Sequence, residues 1–164
     1  MGERAWIRGA ERGSVDDLER LFREHWPRAF RAARLVTGDA AAAEDIAQEA
    51  FLAAVRNLDR FDRRRPFGPW LHRIVVNRAI DWTRARRLRA EVELVDEVPA
   101  APAPESNGDG FSQLAELGPE QRAVVVLRYV LEYTPGEIAA LLGLPRGTVN
   151  SRLRRGLDQL KEPR

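Results

Sequence analysis

The sequence predicts an all-α chain made of two small helical domains joined by a flexible, acidic, proline-rich linker. Three observations carry that reading. Apolar residues recur at steps of three and four behind helix-capping residues, the period of helices with one buried face. Residues 91–110, EVELVDEVPAAPAPESNGDG, hold six acids and no base, with Pro99, Pro102, Pro104, Gly108 and Gly110, and show no helical or strand period after Val98. Such a composition gives an extended linker rather than a core. Beyond it, a helix, a glycine-containing turn and a second helix follow within about 27 residues, a helix-turn-helix spacing. The expected boundaries are a first domain over residues 1–90, a linker over 91–110 and a second domain over 111–164.

The 164 residues are 44% apolar and 32% charged, ordinary values for a globular chain. The formal net charge of +2 conceals a segregated pattern. Residues 56–89 carry 11 basic and 3 acidic side chains, whereas residues 1–55 carry 8 and 10, and residues 111–164 carry 8 and 6. A concentrated basic block attracts a polyanion. The basic residues are 26 Arg against the single Lys161, a bias that a GC-rich genome would itself produce. Arg nevertheless makes bidentate contacts to phosphate and guanine that Lys cannot.

There is no cysteine, which excludes disulfides, a thiolate nucleophile and thiolate metal ligands. His25 and His72 are isolated, so no metal site and no cofactor is expected. Without a P-loop or a nucleophile arrangement, an enzyme is not expected either. No apolar run approaches the roughly 20 residues of a membrane span, and the start lacks an apolar signal core, so the chain is expected to be soluble and cytoplasmic.

In the first domain, Ser14 with Asp16 and Asp17 starts a helix whose stripe runs through Leu18, Leu21, Phe22, Ala29, Phe30, Ala33 and Val36 to Gly38. Pro27 is expected to kink or divide it. Asp39 caps a second helix with an unbroken stripe of Ala43, Ile46, Ala47, Ala50, Phe51, Ala54, Val55 and Leu58. Its other face carries Asp45, Gln48, Glu49, Leu52 and Arg56; the period allows either a solvated face with one exposed Leu or an interface.

Next come Arg63, Arg64, Arg65, Arg73, Arg78, Arg84, Arg86, Arg87 and Arg89, interleaved with Phe61, Phe67, Trp70 and Trp82. Arg tracks phosphates, and aromatic faces accept unstacked bases. Pro66, Gly68 and Pro69 mark residues 61–69 as a loop, followed by a helix packing Leu71, Ile74, Val75, Ala79 and Trp82; Trp70 and Trp82 are each either core or available to a base.

In the second domain, Gly118 and Pro119 open a buried helix, EQRAVVVLRYVLEY. Thr134, Pro135 and Glu137 form a capping box for a short helix ending at Gly143. A last helix, from about residue 147 to 160, turns Val149, Leu153, Leu157 and Leu160 inward and Thr148, Asn150, Ser151, Arg154 and Arg155 outward. These outward types can read base edges in a major groove, although a helical hairpin without DNA shares the spacing.

Three stretches in this order resemble the extracytoplasmic-function (ECF) branch of the sigma-70 family. GDAAAAEDIAQEAFLAAVRNLDRFD and PFGPWLHRIVVNRAIDWTRARR are similar to its region 2, and TPGEIAALLGLPRGTVNSRLRRGLDQL to the helix-turn-helix of its region 4. The resemblance implies a region 2 helical bundle and a region 4 domain, core RNA polymerase as partner through its β′ clamp helices and β flap, promoter DNA, and an anti-sigma factor. It implies that Asp45, Gln48, Glu49 and Leu52 dock on polymerase. Phe61, Arg63, Arg64, Arg65, Phe67, Trp70, Asn77, Arg78, Trp82, Arg84, Arg86 and Arg87 would serve the minus-10 element, the loop capturing a flipped base. Asn150, Ser151, Arg154 and Arg155 would read the minus-35 element, with Arg146, Thr148 and Arg152 largely on phosphates. The acidic linker would thread the channel that later holds RNA. The rival reading from the residues alone is a helix-turn-helix regulator whose N-terminal half senses a signal or dimerises, binding duplex DNA without polymerase.

Overall fold

The computed structural model describes residues 2–95 and 109–161. The described elements are all helical. The first domain comprises α1 (Glu3–Glu11), α2 (Val15–Thr37), α3 (Ala40–Arg56), a 3-10 turn (Leu58–Arg60) and α4 (Phe67–Val95). The second comprises α5 (Asp109–Glu116), α6 (Pro119–Tyr129), α7 (Pro135–Leu142) and α8 (Arg146–Lys161).

The capping signals act as the sequence reading expects. The Ser14 hydroxyl accepts from the Asp17 amide at 3.3 Å, and Asp39 Oδ1 from the Ala42 amide at 2.9 Å. Thr134 and Glu137 close a reciprocal capping box at 3.2 and 3.0 Å. Helices α2 and α7 end on Gly38 and Gly143, whose φ of 71° and 66° lies in the left-handed region that glycine enters without a steric penalty.

Helix α2 is the centre of the first domain and packs against α1, α3 and α4. Ala29, Ala32 and Ala33 of α2 and Ala43, Ala47, Ala50 and Ala54 of α3 are all buried, so the two backbones can approach closely. In the second domain α8 packs on α6 and α7, and the fully buried Ala123, Val124, Val126 and Leu127 of α6 supply much of its core.

Four expectations are corrected. Of the two outcomes expected at Pro27, a kink or a division, the division does not occur: α2 is continuous from Val15 to Thr37. Pro27 lies on the exposed side, where the carbonyl it cannot pair is open to water, while buried residues on both sides hold the helix together. The loop after the 3-10 turn is shorter than residues 61–69, because Phe67, Gly68 and Pro69 already form the first turn of α4. A proline is tolerated there, since first-turn amides have no helical partner. Helix α4 continues through residues 91–95, into the stretch expected as linker; no proline interrupts the chain before Pro99. Helix α5 already begins at Asp109, and residues 96–108, which carry the rest of the linker reading, lie outside the described residues. Helix α1 was not anticipated; it is fixed by tertiary packing, with Ile7 buried and Trp6 and Ala10 packed on the core.

The domains also meet directly: α6 packs on α2 and α4, α7 on α4, and α5 on α2.

Candidate nucleic-acid interface

The aromatic residues around the Arg-rich loop form one connected cluster. Phe61 stacks on Trp70 with ring centroids 4.8 Å apart, and Phe67 meets Phe61 and Trp70 edge to face, both at 5.8 Å. Phe67 also touches Phe51 of α3 at 6.3 Å. Phe67 is fully buried and Phe61 nearly so, while Trp70 is half-buried. Phe67 therefore has no face open to a base in this conformation and supports the cluster from behind. Among these rings Trp70 has the most open surface. In front of it is a cavity of about 390 Å³ bounded by Arg65, Pro69, Trp70 and Arg73 on the first domain and by Tyr133 and Glu137 on the second.

Most arginines expected to meet DNA have partners within the chain. Arg63 pairs with Glu11 of α1, and Arg64 with Asp62 at 3.0 Å. That pairing holds the Asp62 carboxyl below its ordinary pKa. Arg65 reaches the same carboxylate at 3.9 Å. Arg86 bonds Asp39 at 3.3 Å with its guanidinium 5.2 Å from the Trp82 ring centroid, and Arg84 pairs with Glu120 of the second domain. The pairs of Arg64 and Arg65 with Asp62 are solvent-exposed, so each is weak and exchangeable for a phosphate, whereas the carboxylates of Glu11, Asp39 and Glu120 are part-buried. Asn77 is exposed on α4.

On α3, Asp45, Gln48, Glu49 and Leu52 are all exposed, Leu52 at 52%. The period left open whether this face was bland or adhesive. The structure leaves a large apolar side chain in water among acids and an amide, with Glu49 bonded to Arg78 of α4 at 3.2 Å. On α8, Asn150, Ser151, Arg154 and Arg155 stand exposed in a row and Thr148 and Arg152 are half-buried, while Val149, Leu153 and Gly156 face the core. Arg146 is exposed at the first helical position, one residue earlier than expected.

Sequence reasoning missed the residues that join the domains. Arg122, on α6, is buried and donates to the carbonyl of Val36 on α2 at 2.6 Å. His72 Nδ1 lies 2.6 Å from the Tyr133 hydroxyl, and Arg28 donates to the Leu131 carbonyl at 2.7 Å. A cation inside the run RAVVVL was the one visible signal for Arg122. Glu120 also joins the interface, and the arginine opposite holds its carboxyl lowered against the effect of burial.

The chain is thus a two-domain helical protein with an Arg-flanked aromatic cluster on the first domain and an exposed row of polar and basic side chains on α8 of the second. Residues 21–89 match the family model of sigma-70 region 2, and residues 112–160 that of sigma-70 region 4. The chain is 36% identical to the ECF RNA polymerase sigma factor SigE of Mycolicibacterium smegmatis over 93% of its own length and 63% of that protein's. It is 31% identical to the ECF RNA polymerase sigma factor SigW of Bacillus subtilis over 95% of this chain and 93% of the relative. Among solved structures, CnrH in complex with the cytosolic domain of CnrY superposes with a TM-score of 0.73 at 31% identity, covering 96% and 94% of the two chains. The chain belongs to the ECF branch of the sigma-70 family.

Proposed function

We propose that the chain binds core RNA polymerase and directs initiation at promoters carrying minus-10 and minus-35 elements, catalysing nothing itself and working in the cytoplasm. Residues 1–95 supply polymerase binding and minus-10 recognition, residues 109–164 minus-35 recognition, and the acidic, proline-containing stretch between them the linker. Asp45, Gln48, Glu49 and Leu52 form the polymerase contact. Trp70 receives the unstacked base, Phe61 and Phe67 brace it, and the arginines of the loop and α4 follow the single strand. Melting then exchanges pairing energy for pocket and phosphate contacts. Polymerase holds the two domains at a fixed separation, so two modest DNA contacts act through effective concentration as one. CnrH, a similar chain, is bound to the cytosolic domain of CnrY, which supports a protein partner here, in the role of an anti-sigma factor.

The observation that carries this reading is the exposed row Asn150, Ser151, Arg154 and Arg155 in the same chain as the exposed Leu52 face. Truncating a bidentate base contact in that row should cost about 1–3 kcal/mol of upstream-element discrimination. Gel retardation of labelled genomic fragments, with and without core polymerase, is the direct test. Specific complexes should form only with polymerase; specific retardation by the chain alone would favour the helix-turn-helix regulator.

A further inference from the structure

The cavity in front of Trp70 has walls of two kinds. One is aromatic and apolar: Trp70, stacked on Phe61, with Tyr133 and Leu141 contributed by the second domain. The other is cationic, made by Arg60, Arg65 and Arg73. Arg60 precedes Phe61 at the end of the 3-10 turn, and Arg73 lies one turn beyond Trp70 on α4, so a guanidinium stands on either side of the stacked pair along the chain.

The side chains of Arg60 and Arg73 are exposed and have no hydrogen-bond or ion-pair partner among the described residues. Arg65 has only the Asp62 carboxylate, at 3.9 Å. Both acids of the lining are already engaged. Asp62 accepts from the Arg64 side chain at 3.0 and 3.2 Å, and Glu137 from the Thr134 amide at 3.0 Å. The cavity therefore holds uncompensated positive charge beside an aromatic face, and its volume of about 390 Å³ is that of a small-molecule site.

A ligand that satisfies both walls is flat, aromatic and anionic. Guanidinium forks match phosphate oxygens in a bidentate geometry, and a two-ring base covers an indole more fully than a one-ring base does. A bare phosphate would leave Trp70 uncovered, and an uncharged nucleoside would leave the arginines without an anion.

We propose that this cavity binds a free purine nucleoside monophosphate, with its base on Trp70 and its phosphate among Arg60, Arg65 and Arg73, and that the ligand competes with the promoter strand. The competition rests on the sigma-factor reading, which gives the same tryptophan to the unstacked promoter base; the binding does not. Free nucleotide then lowers the fraction of chains whose Trp70 can receive DNA. Arg60 has no part in the promoter contacts proposed above, so it separates the two roles.

Titration calorimetry of the full chain with adenosine monophosphate, uridine monophosphate, adenosine and inorganic phosphate tests the site. Adenosine monophosphate should bind most tightly, and each of the other three about tenfold more weakly or worse. Arg60→Gln and Trp70→Ala should each weaken adenosine monophosphate by about tenfold while leaving the helix content unchanged. In the retardation of genomic fragments with core polymerase, adenosine monophosphate should weaken the parent complex, and Arg60→Gln should form that complex normally and resist the nucleotide. Absence of binding at millimolar adenosine monophosphate, or equal binding of inorganic phosphate, overturns the site, and equal binding of uridine monophosphate overturns the purine assignment. Binding that leaves retardation unchanged overturns the competition. Specific retardation by a chain that binds no nucleotide rejects this inference and leaves the sigma-factor reading standing. Nucleotide binding by a chain that polymerase never brings to specific DNA rejects that reading and the competition with it.

Discussion

His72 reports most directly on how its surroundings set its chemistry. It is 1% exposed, Nδ1 meets the Tyr133 hydroxyl, and Nε2 has no partner among the described residues. Burial first, then the nearby Arg28 and His25, lower its pKa from 6.5 to about 4, and burial raises Tyr133 to about 12. Unfolding returns His72 to its ordinary value, so the unfolded chain binds the extra proton between those limits. The contribution to stability is complete above pH 6.5, is lost progressively as pH falls toward 4, and changes no further below that. The loss amounts to about 3 kcal/mol. Thermal unfolding followed from pH 7 to 4.5 should show a falling Tm that His72→Leu flattens; an unchanged slope in that variant would refute the assignment. The sequence displayed His72 as an isolated histidine, but its partner is 61 residues away, a distance that no local period encodes. Phe61 and Phe67 show the same limit: aromatics between arginines look alike whether they face a base or the core, and only packing distinguishes the buried Phe67 from the half-open Trp70.

Helices were the most legible level, because caps and periods are local. Ser14, Asp39, Thr134 and the two C-terminal glycines mark ends where the structure has them. What failed at this scale was non-local. The burial around α2 carries it past Pro27, and α1 exists through contacts with α2 rather than through its own propensity. Close approach of α6 and α8 is a further tertiary feature, made possible by Gly156: a Cβ there would lie 3.0 Å from Val125 Cγ2. Gly156→Val should therefore overpack the second domain and destabilise it by about 1–3 kcal/mol, read as a lower denaturant midpoint. A midpoint equal to that of the parent would show that the two helices have room to spare. Helix α3 makes an opposite case, since its packing is plain from the sequence while the use of its exposed face is not. If that face grips polymerase, Glu49→Lys with Leu52→Ala should weaken attachment at least tenfold, the effect of about 1.4 kcal/mol, while leaving the helix content unchanged. Co-sedimentation with core polymerase would measure it, and undiminished attachment would remove α3 from the interface.

For the whole molecule, the order of charged blocks was legible and their meeting was not. The sequence separates a basic first-domain segment from a second domain of small net charge, and suggests parts connected by a tether. The structure brings them together through Arg122, Arg28, Arg84 and Arg87, each of which meets a group from the other domain. Function at this scale depends on one chain presenting a polymerase-binding face and two DNA-reading faces. Transcription of genomic fragments by core polymerase in the presence of the protein, with sequencing of transcript 5′ ends, tests that most directly. The predicted result is a set of defined start sites that share two upstream elements at constant spacing and disappear with the Glu49→Lys, Leu52→Ala variant. Starts indistinguishable from those of core polymerase alone, or defined starts that survive that variant, would contradict it.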